Sequence, residues 1–222
     1  MIALRRHQLV RLNDAGWAAL RERSWDEAAA DCIAQWAMQR WPLVVTQQRA
    51  GLDVDCLALG LPAPLQWQRR RIALQVPLRD VLTFDDFPTA ADVTSLLPAS
   101  ARARWRELVD ALNAIGVAPR VYGGHGWQRI TGMAYLHAGS DIDLRLSVDD
   151  AAMADTVTAL LHDTAFNTPR LDGELVFLDG SAVAWREWQP WRAQRVDRVL
   201  VKRLHGVAME HGDAWLGEGL RC

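Results

Sequence analysis

The chain has 222 residues, half of them hydrophobic and 23% charged, which rules out disorder as its main state and allows one large domain or two small ones. A net charge of −2 argues against gripping nucleic acid by bulk charge. Three dispersed cysteines, Cys32, Cys56 and Cys222, with no CxxC pair and no Cys/His cluster, support neither a disulfide framework nor a zinc site.

The sequence opens without the apolar core of a signal peptide. No apolar run nears the ~18 residues that span a bilayer. A soluble, cytoplasmic protein with no membrane or nucleic-acid partner is therefore expected. The basic residues are Arg throughout, except for a single lysine, Lys202. Eleven Trp residues read first as packing, with a stacking surface for a flat ligand as the alternative.

Ser24-Trp25-Asp26-Glu27 predicts a capping box, with Trp25, Ala29, Ile33 and Trp36 at helical spacing behind it and Pro42 beyond the end. Leu43 to Thr46 and Arg71 to Val76 read as buried strands. Leu97-Pro98-Ala99-Ser100 breaks the pattern and suggests a boundary, giving an N-terminal α/β domain over 1–97 and a second domain over 98–222. Trp105, Leu108, Val109, Leu112 and Ile115 line one face of a helix that Gly116 ends. Arg120-Val121-Tyr122 is a strand running into Gly123-Gly124. Another strand spans Asp141 to Val148, and Asp149 can cap a helix reaching about Leu161. Glu174 to Leu178 and Ala182 to Trp188 read as strands joined through Asp179-Gly180. Val196, Val199, Leu200, Leu204 and Val207 suggest a last amphipathic helix ending near Met209.

Ser140-Asp141-Ile142-Asp143-Leu144-Arg145-Leu146 carries the chemistry. Ile142, Leu144, Leu146 and Val148 alternate, so on a strand Asp141 and Asp143 share the opposite face. Two ionised carboxylates so placed repel, and a divalent cation is the usual remedy; Mg2+ takes carboxylate oxygens together with substrate phosphates. Without further support, such a pair is also consistent with a solvated strand face. Gly123-Gly124, after a strand and before a helix-like segment, lets backbone N–H groups approach phosphate oxygens. It is neither a Walker loop nor a dinucleotide-binding fingerprint.

Helix, strand, Gly-Gly, helix, then a strand with Asp-x-Asp resembles the nucleotidyltransferase (polymerase-beta-like) superfamily. That resemblance implies an α/β (α+β) mixed sheet core, here with a smaller N-terminal α/β domain, and a third carboxylate from a later strand: Glu187, with Glu174 as the competitor. More narrowly, Val121 to Gln128, Thr131-Gly132, Tyr135-Leu136 and Gly139 to Leu144 resemble the malonate decarboxylase holo-[acyl-carrier-protein] synthase family, the phosphoribosyl-dephospho-CoA transferases. Leu171 to Glu174, Val183 to Glu187, Arg6 to Val10, Trp41 to Val45 and Arg70 to Val76 are similar to its other blocks, so the likeness covers nearly the whole chain. The family commonly has Gly-Ser where this chain has Gly123-Gly124.

The family resemblance implies the donor 2′-(5′′-triphosphoribosyl)-3′-dephospho-CoA and, as acceptor, a serine of the apo acyl-carrier subunit of malonate decarboxylase. Pyrophosphate would leave. Asp141 and Asp143 would hold Mg2+ or Mn2+, Glu187 or Glu174 would complete the site or take the proton, and Gly123, Gly124 and Ser140 would meet the donor. Lys202 and Arg203, on the expected last helix, could reach the triphosphate. Arg69-Arg70-Arg71 could dock an acidic carrier or bind donor phosphate, with Arg70 and Arg71 as substrate contacts, or be a solvated strand entry. The first half, lacking a catalytic constellation, is expected to serve recognition as a wall of the cleft. Transfer of AMP from ATP to a small molecule or protein is the alternative activity. A non-catalytic carrier-binding module is a third reading, which the intact Asp141 and Asp143 oppose.

Overall fold

The computed structural model describes residues 4–164 and 169–216; Cys222 lies outside them. Two compact units divide the chain. The first comprises Met1–Phe87 with Ile130–Tyr135 and Leu204–Gly206, and the second holds the rest.

In the first unit, β1 (Leu9–Leu12), α1 (Asp14–Arg21), α2 (Glu27–Gln39), β2 (Leu43–Val45), β3 (Cys56–Pro62), β4 (Arg71–Pro77) and β5 (Val81–Asp85) follow in order. The strands form an antiparallel sheet in the order β4-β3-β2-β1-β5. Leu57, Leu59 and Leu61 of β3 and Ile72, Leu74 and Val76 of β4 alternate into the core. Asp26, not Ser24, caps α2: its Oδ1 accepts from Ala29 N at 3.0 Å. Trp25 therefore precedes the helix, where its Nε1 donates to Leu20 O. Arg40, in the left-handed region at φ 51°, ends α2 ahead of Trp41-Pro42.

The second unit contains α3 (Arg102–Ala114), β6 (Arg120–Tyr122), α4 (Gly123–Thr131), β7 (Ile142–Ser147), α5 (Ala151–Thr164), β8 (Leu171–Val176), β9 (Ala182–Ala184), α6 (Trp185–Arg192), β10 (Arg198–Lys202) and β11 (Val207–His211). The last residues of α4 fall within the first unit's Ile130–Tyr135. The sheet order is β11-β10-β9-β8-β7-β6. Among the described strands, β7 and β8 pair in parallel and the remaining pairs are antiparallel. Parallel neighbours need a crossover, which α5 supplies. This mixed core with a smaller antiparallel companion is the architecture expected.

One sheet face and the helices enclose the second core, which includes Trp105, Leu112, Ile142, Leu144, Leu146, Leu161, Trp185 and Trp188. Residues 88–97 belong here and not to the N-terminal domain, because Ala90, Val93 and Leu97 pack into this core. Asp150, one residue past the expected Asp149, caps α5 through Met153 N at 2.8 Å. The expected last helix is instead the β10–β11 hairpin, and the strand expected through Trp188 ends at Ala184, where α6 begins. Among the described residues, no helix is long and apolar enough to cross a membrane.

Candidate active site

The sheet face opposite the helices carries the polar residues of β7 and β8. Alternation sends Ile142, Leu144 and Leu146 into the core and leaves Asp143 and Arg145 on the other face. The parallel register sets Asp143 beside Asp172 and Arg145 beside Glu174. Gly173, between the two acids, has φ 132°, and a Cβ there would overlap the Leu144 backbone. Only glycine lets β8 approach β7 so closely at this point.

On the other side of β7, Tyr122 pairs with Asp143, and the chain turns directly from β6 into α4. Gly123 makes that turn at φ 60°, with the Asp143 carboxylate packed where a Cβ would stand. Gly123 and the second aspartate of the motif are thus packed together, with Gly124 in the first turn of α4. His125, buried in the same helix, points Nδ1 at Asp141 O, 3.0 Å away. Because a carbonyl can only accept, Nδ1 carries the proton. Burial holds the imidazole below its usual range, favouring that neutral form.

Asp141 stands just before β7 and Arg170 just before β8, joined by Ile142 N donating to Arg170 O at 2.9 Å. The Arg170 guanidinium donates to both Asp141 oxygens, Nε at 3.2 Å and Nη2 at 2.5 Å, and reaches Asp172 at 3.4 Å. It holds the Asp141 carboxyl below the usual carboxylate range. Asp143 behaves oppositely. Burial, then the carboxylates of Asp172, Asp141 and Glu174, push it up to about 7. Glu174, 4% exposed, receives Lys202 Nζ on Oε1 at 2.7 Å.

The expected residues are therefore gathered unequally. Asp141, Asp143, Gly123 and Gly124 come together, and Glu174 with Lys202 joins them along the sheet. Glu187 stands instead on the exposed side of α6, whose Trp185, Trp188 and Trp191 face the core, next to Arg186, which donates to Leu171 O at 2.8 Å. Ser140 caps the turn before Asp141, its Oγ accepting from His137 N at 2.9 Å. Arg203 pairs with Glu210 at 2.8 Å across the hairpin. In the first unit, Arg70 forms a two-pronged pair with Asp26, while Arg69 and Arg71 are exposed. No pattern in the sequence assigns a role to Arg170, Asp172 or His125, although His125 adjoins the glycine pair. The acid of Asp172 was visible only as Asp-Gly-Glu, and its relation to Asp143 follows from pairing between strands.

Among the described residues, no three His, Cys, Asp or Glu side chains stand together as a ready set of metal ligands. The donor chemistry nevertheless fits a hard divalent cation, since crowded carboxylates that raise Asp143 are what such an ion neutralises. Arg170 supplies the counter-charge seen at Asp141.

The profile described as "Phosphoribosyl-dephospho-CoA transferase MdcG C-terminal domain" matches residues 88–212, and its N-terminal-domain counterpart matches residues 5–87. A phosphoribosyl-dephospho-CoA transferase of Bradyrhizobium diazoefficiens is 33% identical over 209 residues, covering 92% of this chain and 88% of the relative. One from Xanthomonas campestris pv. campestris is 34% identical over 178 residues, covering 80% and 82%. One from Pseudomonas putida is 33% identical over 188 residues, covering 83% and 87%. No solved structure matches the chain. Two profiles that together span both units, with relatives aligned over most of their lengths, establish that the chain belongs to the phosphoribosyl-dephospho-CoA transferase family.

Proposed function

We infer that this enzyme transfers the phosphoribosyl-dephospho-CoA group from 2′-(5′′-triphosphoribosyl)-3′-dephospho-CoA to a serine hydroxyl of the apo acyl-carrier subunit of malonate decarboxylase. The serine oxygen bonds to the α-phosphorus, the bond to pyrophosphate breaks, and the serine proton passes to a carboxylate. Family membership supports the substrates. The observation that carries the chemistry is the packing of Asp143 against the Gly123 turn, which joins a carboxylate pair to the start of a helix. The first turn of α4, where a helix leaves its backbone N–H groups without intrahelical partners, suits the donor's phosphates.

Asp141 and Asp143 would hold Mg2+ or Mn2+, which when bound offsets charge on the pyrophosphate and lowers the pKa of the attacking hydroxyl. For the third carboxylate, the sheet face favours Glu174 over Glu187. Asp172 is the better proton acceptor, being partly exposed and in register with Asp143, whereas Glu174 is buried against Lys202. Lys202, held by Glu174, adds positive charge for the donor's phosphates. Arg69 and Arg71 are the exposed cations of the first unit's basic run and suit an acidic carrier. We place the reaction in the cytoplasm, where a reducing environment agrees with the free thiols of Cys32 and Cys56.

Intact-mass measurement of the apo-carrier after incubation with enzyme, donor and Mg2+ tests this reading. The expected result is a mass gain equal to the donor less pyrophosphate, absent with Asp143→Asn. No gain with the donor, or a gain of AMP when ATP replaces it, overturns the assignment.

A further inference from the structure

Arg170 touches two acids of the candidate site at once, Asp141 through both carboxylate oxygens and Asp172 at 3.4 Å. A guanidinium fork on a carboxylate uses the oxygens that a cation would need. Asp141 as seen is therefore already neutralised by a group of the chain itself. That group can exchange partners without moving the chain, because the Arg170 side chain is 55% exposed while its backbone is held separately, through the bond from Ile142 N to its carbonyl.

We propose that Arg170 holds the place at Asp141 that the divalent cation takes, and that cation loading releases its guanidinium to the donor's phosphates. The inference rests on the reading that Asp141 and Asp143 hold the cation. Charge makes the exchange self-consistent. A single positive charge spread over Asp141 and Asp172 gives way to a divalent ion, and the freed guanidinium, anchored at the start of β8, stands beside the site as the highly anionic donor arrives.

The exchange has a signature opposite in sign to that of a merely structural arginine. Removing a competitor tightens metal binding, whereas removing a brace for Asp141 weakens it. The experiment is calorimetric titration of the full chain, without donor, with Mn2+, for the parent, Arg170→Met, Arg170→Lys and Asp143→Asn. Expected are about fivefold tighter Mn2+ binding in Arg170→Met and a smaller gain in Arg170→Lys, as for loss of an exposed competing pair. In turnover, Arg170→Met should raise the donor KM by about tenfold with kcat little changed, as for a contact made equally in ground and transition states. Mn2+ binding unchanged or weaker in both Arg170 variants overturns the exchange. Parent-like Mn2+ binding by Asp143→Asn overturns the carboxylate reading beneath it, and the two failures are thereby distinguished.

Discussion

Asp143 is an acid whose surroundings oppose its charge, which makes it the most informative residue to replace. Asp143→Asn should abolish transfer while leaving the fold intact, and Asp141→Asn should do the same; mass measurement of the carrier and circular dichroism check both halves. In chelator, the raised Asp143 pKa also gives the sign of a pH effect. The neutral acid suits the folded site and the ionised acid does not. Its contribution to stability is complete below the unfolded pKa near ~4 and is lost as pH rises through about 7. Melting curves of the metal-free parent and Asp143→Asn should therefore diverge from about pH 4 to 7, with the variant favoured at the upper end. A parent that gains stability relative to the variant over that range would contradict the crowding of carboxylates. The two glycines should differ as well. Gly123→Ala combines a positive φ with a Cβ aimed at the Asp143 carboxylate, so it should lose transfer and melt lower. Gly124→Ser, at a helical position, should keep activity and add on the order of 1 kcal/mol of donor binding through a hydroxyl.

At the scale of elements, the motif strand was legible because Ile142, Leu144 and Leu146 alternate without interruption. The β10–β11 hairpin was not, because Val196, Val199, Leu200, Leu204 and Val207 fit a helical period equally well. Pairing of Val199 with Glu210 and Val201 with Ala208 decided it. The end of β9 was misplaced for the converse reason: Trp185, Trp188 and Trp191 carry a helical spacing that the preceding Ala182-Val183-Ala184 hid. That one boundary moves Glu187 from the expected strand onto the exposed side of α6. Asp172 and Arg170 were hidden more deeply, since their neighbours are set by the parallel register of β7 and β8, which no local pattern encodes. The basic run on β4 and the turn before it gives an element-scale test. Arg70 is engaged with Asp26, the cap of α2, so replacing all three arginines would disturb that helix as well. Arg69→Gln with Arg71→Gln is the cleaner variant. It should slow association with the acidic carrier and flatten its dependence on NaCl, with donor KM unchanged, as read by stopped-flow mixing and steady-state kinetics. Unaltered carrier association would return these arginines to plain solvated surface.

For the molecule as a whole, the division into units does not follow one cut in the chain. The first unit takes in Ile130–Tyr135 and Leu204–Gly206 from the second half. These segments bond specifically: Leu65 N donates to Ala134 O at 2.9 Å, Gln48 N to Leu204 O at 2.8 Å, and Tyr135 Oη to Pro62 O at 2.8 Å. Tyr135 is 8% exposed, so its hydroxyl bond is made out of water, where leaving Pro62 O without that donor is costly. Both segments adjoin candidate site elements in sequence, one beginning in the last residues of the Gly-Gly helix and the other following Lys202 and Arg203. Tyr135→Phe should therefore lower stability by about 1 kcal/mol, and hydrogen exchange should speed up first around Pro62 and Leu65, ahead of β7 and β8. Residues 1–87 expressed alone lack all three bonds, so they should melt below the same region in the full chain. If that fragment matched the full chain in its melting and exchange, the two inserted segments would be ornaments on a unit complete without them, and the loss of one hydroxyl at Tyr135 would then be felt only locally.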